Sequence, residues 1–257
     1  ALSFGPGRMR TFKLTVAYDG SDFAGWQSQP AGRTVQDVLE AALEPLGRCG
    51  RVLAAGRTDA GVHALGQVVR FRTTAPYGPH VICGALNARL PEDVAVLACD
   101  EVHQDFHPIR DARGKIYRYL LHDGPLRDVF HRRTSWKLWN RLDAEAMQQA
   151  AAVLRGRHDF RSFQTSGSER KTTVRHLRRL EVVRGFEGCQ DFVAVELEAD
   201  GFLYNMARAI VGALVEVGRG SRDAAWLAQV LAACDRRAAA QTAPPQGLVL
   251  VKVQYDE

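Results

Sequence analysis

The chain has 257 residues, of which 46% are hydrophobic and 25% are charged. This balance excludes an intrinsically disordered protein and allows one large hydrophobic core or two smaller ones. The formal net charge is +5, and only five of the 34 lysine and arginine residues are lysines. Arginine binds phosphate through a bidentate fork, so the charge permits a nucleic-acid partner, although a GC-rich genome gives the same bias.

The five cysteines are far apart and never form a CxxC pair, so the sequence indicates neither a disulfide framework nor a zinc knuckle. No run of about 18 apolar residues occurs, and the N-terminus lacks the apolar segment of a signal peptide. These features predict a cytoplasmic protein without a membrane segment. Residues 1–8 are predicted to be a loose leader.

The first half of the chain begins with a strand predicted at residues 10–18, where apolar and polar side chains alternate. The loop at residues 19–33 is rich in glycine, and its aromatic side chains Phe23 and Trp26 are expected to be exposed. Thr34 is the predicted N-cap of the helix that follows. The remaining elements predicted for this half are short strands at 52–55 and 67–71, a helix at 79–89 and a strand at 94–102.

The second half begins with a strand predicted at residues 114–122. An alanine-rich helix is predicted at 142–154, with Asp143 as its cap, and the polar, basic stretch 156–171 is predicted to be a loop. The remaining predicted elements are strands at 173–183 and 191–199, helices at 203–217 and 222–233, and a last strand at 248–253.

The order of elements in each half is strand, helix, strand, strand, helix, strand, with extra helix in the second half. This is the order of the ferredoxin-like unit. We therefore predict an α+β fold of two ferredoxin-like halves, with mixed, mainly antiparallel sheets flanking a central catalytic cleft. The predicted domains are an N-terminal α+β domain at 9–105 and a C-terminal α+β domain at 106–257.

A single carboxylate stands in a turn of small residues between two predicted strands of the first half. The stretch reads GRTDAGVHA at residues 56–64, and its glycines free the backbone to present Asp59 at a strand end. Asp59 could cap the turn through its own side chain. It could instead do chemistry, because loops on a rigid scaffold carry function disproportionately.

Cations and tyrosines interleave in the stretch GKIYRY at residues 114–119. Strand alternation places Lys115, Tyr117 and Tyr119 on one face. The pattern fits a sheet face with half-buried tyrosines and snorkelling cations. It fits equally well a platform on which a nucleobase stacks.

Two further features carry positive charge. Arg208 stands among apolar residues of a predicted helix, where it either lies on a polar face or is buried and needs a carboxylate partner. A basic tract suits phosphates or a solvated face. Its members are Arg155, Arg157, Arg161, Arg170, Lys171, Arg175, Arg178 and Arg179.

Several common sites are excluded by spacing. The chain contains no GxxxxGKS/T or GxGxxG stretch for a nucleotide cofactor and no GxSxG stretch for a nucleophilic serine. His103 and His107 are four residues apart, but Pro108 follows and no third ligand is near, so loop histidines are predicted. We therefore predict that the protein uses neither a metal nor another cofactor.

The stretches around Asp59, Tyr117 and Arg208, with YDGxxFxGWQxQ at residues 18–29, resemble the signatures of the TruA family of tRNA pseudouridine synthases. The matches span most of the chain from Met9 onward. The resemblance implies that Asp59 is the catalytic residue, that Tyr117 stacks on the base, and that Arg208 pairs with Asp59. Ala207 stands where the family pattern usually has valine.

The resemblance also implies the reaction, which is the isomerisation of uridine to pseudouridine at positions 38, 39 and 40 in the anticodon stem-loop of tRNA. It implies a homodimer with tRNA contacting both subunits. Asp59 could act as nucleophile, as base, or as stabiliser of an oxocarbenium-like species. Tyr117 would assist removal of the C5 proton.

The predicted RNA-binding residues divide by their expected contact. Arg57 would fill the space left by a flipped uridine, while the others contact bases or phosphates: Phe23, Trp26, Tyr117, Arg170, Lys171 and Arg175. Two alternatives stay open. A non-catalytic tRNA-binding protein or RNA chaperone would not need Asp59, and a nucleoside glycosylase would use it but release free uracil.

Overall fold

The structure is a computed structural model that describes residues 8–165 and 172–256. The chain forms two compact units. The first runs up to Arg113 and includes the chain from Leu250 onward, and the second is Gly114–Val249. The sequence analysis put the domain boundary near residue 105 and grouped the last strand with the second domain.

The first unit follows the predicted order of elements. It comprises β1 (Arg10–Tyr18), α1 (Val35–Leu43), β2 (Leu53–Ala54), β3 (His63–Thr73), α2 (Pro79–Asn87) and β4 (Val94–Val102). The strands predicted at residues 10–18 and 94–102, β1 and β4, are confirmed at both ends. Thr34 caps α1 by accepting a hydrogen bond of 3.2 Å from the Asp37 N–H group, as predicted.

The core of the first unit lies between its antiparallel sheet and its helices. β1 pairs with both β3 and β4, so both of its edges are hydrogen bonded, and its inward side chains Phe12, Leu14 and Val16 are buried. Phe12 stands opposite Phe71 in this register, and the two rings stack with centroids 5.2 Å apart. Both side chains are buried, so this sheet is a firm support for the turn that joins β2 to β3.

The second unit carries more helix, as predicted. It comprises β5 (Gly114–His122), β6 (Trp136–Lys137), α3 (Ala144–Ala151), β7 (Gly156–Asp159), β8 (Val174–Arg184), β9 (Phe192–Ala199), α4 (Met206–Gly218) and α5 (Ala224–Ala233). The sheet order is β5-β9-β8-β7, with the short β6 beside β5. Asp143 is the N-cap of α3, as predicted.

The prediction of a loop at residues 156–171 is wrong for the first four residues. These residues form β7, which pairs antiparallel with β8. The sequence Gly-Arg-His-Asp has no apolar alternation, so only main-chain pairing makes it a strand.

The last strand, β10 (Leu248–Gln254), returns to the first unit from Leu250 onward and lies beside β3. Both units combine a mainly antiparallel sheet with helices. The predicted α+β class is therefore confirmed.

A fully buried carboxylate joins three segments of the second unit. Asp123 directly follows β5 and accepts hydrogen bonds from the Leu142 N–H group at 2.8 Å and from the Arg184 guanidinium at 2.8 and 3.0 Å. Arg141 adds a third donor at 3.2 Å. Burial by itself raises the pKa of Asp123, but these hydrogen bonds and the two arginine charges hold that pKa below its usual value.

Replacing Asp123 by alanine should strongly destabilise the second unit, because the partly buried Arg184 and the Leu142 N–H group would lose their carboxylate partner. Breaking such a pair costs roughly 3–5 kcal/mol, measurable by urea denaturation. The matched control is Asp191→Asn, which removes an exposed partner of Arg141 and should cost less than about 1 kcal/mol. Equal, small losses for both variants would contradict the assignment.

The same carboxylate should make stability depend on pH. The pKa of Asp123 is lower in the folded state than in the unfolded state, so its contribution is present above the unfolded value of about 3.9. It is lost as the pH falls through the folded value. Denaturation curves of the parent and of Asp123→Ala should therefore converge in acid.

Candidate active site

Asp59 lies on the turn between β2 and β3, with its neighbours anchored and its own side chain partly exposed. The Thr58 hydroxyl is buried and lies 2.8 Å from the Tyr18 hydroxyl. The Gln67 side-chain amide donates to the Gly56 carbonyl at 2.8 Å. Burial raises the pKa of Tyr18 to about 12 against the hydrogen bonds that lower it, so the phenol stays protonated at neutral pH.

The loop at residues 19–33, called the brace loop below, is bonded to this turn through its main chain. The Trp26 N–H group donates to the Thr58 carbonyl at 3.0 Å, and Gly61 donates to the Phe23 carbonyl at 3.4 Å. The Gly20 N–H group lies 3.0 Å from Nδ1 of His63. The brace loop is therefore hydrogen bonded to the turn both before and after Asp59 in the sequence.

The brace loop is in turn fixed to the start of α1. The Val35 N–H group donates to the Gly25 carbonyl at 3.2 Å, and Gln36 donates to the Trp26 carbonyl at 3.0 Å. The first N–H groups of a helix have no partner within the helix, so the loop carbonyls satisfy them. Helix, brace loop and Asp59 turn thus form one bonded series.

The expectation that Phe23 and Trp26 are exposed is wrong. Their exposed fractions are 3% and 2%. The main chain of the brace loop faces the turn, while the Trp26 ring packs 6.2 Å from the ring of Tyr18, and the Arg33 guanidinium covers the Phe23 ring at 4.1 Å. Glycines in this loop permit close backbone approach and do not mark a solvated segment.

Gly25 is a point of close approach between the brace loop and the turn. Its φ is +101°, and a Cβ there would lie 2.9 Å from the Thr58 carbonyl oxygen and 3.2 Å from the Ala60 nitrogen. Both the backbone conformation and the space therefore require glycine.

In the second unit, Tyr117 and Tyr119 share a face of β5 but have different environments. Tyr119 is fully buried and donates to the Pro244 carbonyl at 2.7 Å, and burial raises its pKa. Tyr117 keeps 8% of its surface exposed, and its ring meets Phe202 edge to face at 4.9 Å. Of the two tyrosines, only Tyr117 retains contact with solvent.

Arg208 lies in the first turn of α4 and is partly buried. Its Nε donates to the Ala243 carbonyl at 2.8 Å, and its Nη1 donates to Oδ1 of Asn205 at 2.9 Å. These two acceptors set the direction of the guanidinium. The interpretation of Arg208 as a solvated residue on a polar helix face does not fit these contacts.

Asn205 is a residue of this site that the sequence analysis missed. It precedes α4 with φ of +61°, a left-handed conformation that asparagine tolerates better than most residues. Its side-chain amide also donates to the Thr165 hydroxyl at 3.1 Å. Asn205 therefore links Arg208 to the segment that follows β7.

The basic tract is partly neutralised. Arg178 lies 3.8 Å from the Glu198 carboxylate, and Arg179 lies 3.2 Å from both Glu181 and Glu196. Arg175 donates to the Thr172 and Val174 carbonyls at 3.0 and 2.6 Å. The predicted RNA ligands Arg170 and Lys171 lie outside the described residues.

Arg57 is exposed, two residues before Asp59. Within residues 8–165 and 172–256, no group of three or more His, Cys, Asp or Glu side chains is placed to hold a metal ion. No helix in the same part of the chain is long and apolar enough to cross a membrane.

The partly exposed Asp59 thus lies on a braced turn of the first unit, while Tyr117 and the oriented Arg208 belong to the second unit. A family model described as tRNA pseudouridine synthase matches residues 14–109 and 150–256. The chain belongs to this family, as the sequence motifs predicted.

Curated relatives match the chain over nearly its whole length. The tRNA pseudouridine synthase A of Myxococcus xanthus is 47% identical over 248 residues, which cover 96% of this chain and 92% of the relative. Those of Pelobacter propionicus and Acetivibrio thermocellus are 43% and 42% identical, each over 96% of this chain and 100% of the relative.

Replacing Gly25 by alanine should disrupt the brace. Gly50 is the matched control, because its φ is also positive, at +75°, but nothing lies within 4 Å of the added Cβ. Gly50→Ala should cost about 1 kcal/mol of stability from backbone strain alone, and Gly25→Ala about 3 kcal/mol. Denaturant unfolding measures both, and equal losses would show that the contact with Thr58 does not constrain the loop.

Proposed function

We propose that this chain isomerises uridine to pseudouridine in the anticodon stem-loop of tRNA, at positions 38, 39 and 40. The observation that carries the proposal is the partly exposed Asp59 on its braced turn, within a nine-residue stretch that matches the TruA signature. The relative from Myxococcus xanthus, a tRNA pseudouridine synthase A with 47% identity, supports it.

The chemistry suits a carboxylate. The bond from C1′ of the ribose to N1 of uracil breaks, the base rotates, a new bond joins C1′ to C5, and the C5 proton moves to N1. Uridine and pseudouridine are isomers, so no net oxidation takes place. Asp59 acts at C1′ or C2′ as nucleophile, base or stabiliser of positive charge on the sugar.

The other site residues have supporting roles in this proposal. Tyr117 stacks on the uracil and assists loss of the C5 proton. Arg208 pairs with Asp59, as the resemblance implies, and a nearby cation favours the ionised carboxylate that the chemistry needs.

Recognition of tRNA requires the uridine to leave its helix, at a cost of a few kcal/mol. Arg57, exposed beside Asp59, occupies the vacated space. Arg175 and Tyr117 hold the flipped nucleotide, and Tyr117 does so by stacking on its unpaired base. We further propose a homodimer in which tRNA contacts both subunits, working in the cytoplasm where its substrate is found.

The decisive experiment is chromatography of digested tRNA after incubation with the protein, compared with Asp59→Asn. The parent should yield pseudouridine, while the variant should yield none yet still bind tRNA, because the amide keeps the shape of the carboxylate and loses its charge. Residual turnover within about tenfold of the parent, or about 1.4 kcal/mol in barrier, would remove Asp59 from the chemistry. Free uracil would indicate a glycosylase, and unchanged uridine with tight binding a chaperone.

A second prediction concerns Asn205, which we propose positions Arg208. Asn205→Gly keeps the left-handed backbone and removes the acceptor for Arg208, so we expect the single-turnover rate at saturating tRNA to fall roughly tenfold, as for loss of a charged hydrogen bond. Asn205→Asp is the matched control: it retains an acceptor and should stay within about threefold of the parent. A parent-like rate for Asn205→Gly would refute the role.

A further inference from the structure

The most exposed large hydrophobic side chains of the described residues belong to one segment of the second unit. Leu126, Val129, Phe130 and Trp139 are 78%, 61%, 87% and 66% exposed. They lie in the chain between β5 and α3, outside the sequence motifs that carry the proposed chemistry. Apolar side chains clustered on a surface mark a site of interaction.

This segment is held by its own hydrogen bonds. The Asp128 carboxylate accepts from the N–H groups of Phe130 and His131 at 2.8 and 2.9 Å. Leu138 donates to the His122 carbonyl at 2.8 Å, and the His131 ring meets the ring of Phe192 at 5.0 Å. The apolar side chains are therefore displayed on a fixed frame.

Cations surround the exposed indole of Trp139. The Lys137 ammonium lies 4.9 Å and the Arg127 guanidinium 5.8 Å from the centre of the ring. Both border a cleft of about 280 Å³ that Arg132 and Trp139 also line. Residues 124–141 contain five lysine and arginine residues and one carboxylate, that of Asp128.

We propose that Trp139, Arg127, Arg132 and Lys137, the Trp139 surface, form a second RNA-binding site. An unpaired base stacks on the indole, and the cations bind the phosphates beside it. Aromatic rings interleaved with cations bind single-stranded nucleic acid in this way. The site adds a tRNA contact outside the stretches around Asp59, Tyr117 and Arg208, and it rests on the proposed function for the identity of the RNA.

The charge of the surface favours RNA over a second copy of the chain. A symmetric dimer formed through this surface would bring two copies of Arg127, Arg132 and Lys137 into one interface. Like charges brought together in an interface cost several kcal/mol unless they are paired. A phosphate backbone neutralises the same cations and releases its counterions.

The test measures the Kd of an unmodified tRNA transcript by fluorescence anisotropy at several salt concentrations. Trp139→Ala should weaken binding roughly tenfold, and Trp139→Phe should recover most of the loss, because a phenyl ring still stacks. Arg127→Gln and Arg132→Gln should each flatten the slope of log K against log salt by about 0.7–0.9. Binding of a blunt-ended RNA duplex, which has no unpaired bases, should be insensitive to Trp139→Ala.

Arg222→Gln is the matched control. Arg222 also covers an indole, that of Trp226 at 5.5 Å, but belongs to the start of α5 and not to the Trp139 surface. It should keep the parent affinity and slope. Because Trp139 is mostly exposed, its variants should keep the parent melting temperature, and if the alanine variant does not fold, the arginine variants carry the test.

Parent-like affinity and slope in the Trp139 and Arg127 variants would overturn the proposal. So would a lower mass of Trp139→Ala in sedimentation with unchanged tRNA affinity per chain, because a second copy would then cover the surface. If the parent binds tRNA through Trp139 but forms no pseudouridine, the proposed function fails while the RNA site stands.

Discussion

The main-chain contact between the brace loop and the Asp59 turn is the constraint on which the first unit's site depends. The Trp26 N–H group bonds the Thr58 carbonyl, and Gly25 lets the two backbones approach. A short acidic turn would otherwise sample many conformations, and ordering it on substrate binding would cost entropy. Here folding has already ordered it, so the carboxylate is preorganised.

In the second unit, buried polar contacts likewise fix the site residues before substrate binds. Arg208 and Tyr119 donate to the neighbouring carbonyls of Ala243 and Pro244. A buried donor without a partner is costly, so these contacts fix both side chains together with the segment before β10. Tyr117, two residues from Tyr119 on the same strand face, keeps solvent access. The two side chains are of the same type, so it is their environments that make Tyr119 a structural residue and Tyr117 a candidate for binding a base.

The sequence predicted well wherever a local pattern determines the structure. Alternation marked the full extent of β1, the bounds predicted for β4 and β5 agree with the structure, and the motif at residues 56–64 marked the Asp59 turn. Prediction failed where distant contacts decide. β7 depends on pairing with β8, and the burial of Trp26 depends on the core around Tyr18. Asn205 is a site residue because it forms hydrogen bonds with Arg208 and Thr165. Thr165 is distant in the chain, so no local sequence pattern indicates that bond.

Positive charge illustrates the same limit for binding surfaces. The arginine-rich run around Arg178 and Arg179 is conspicuous in the sequence, yet Arg179 stands opposite Glu198 across the sheet and lies 3.5 Å from its carboxylate. Whatever such a partly exposed pair adds to stability, a phosphate would have to compete with carboxylates already in place. Around Trp139 the sequence is less conspicuous, and Asp128 is occupied by main-chain N–H groups and His131. The strength of a basic surface therefore depends on which acids the fold brings beside it, and the fold favours the Trp139 surface over the arginine-rich strand.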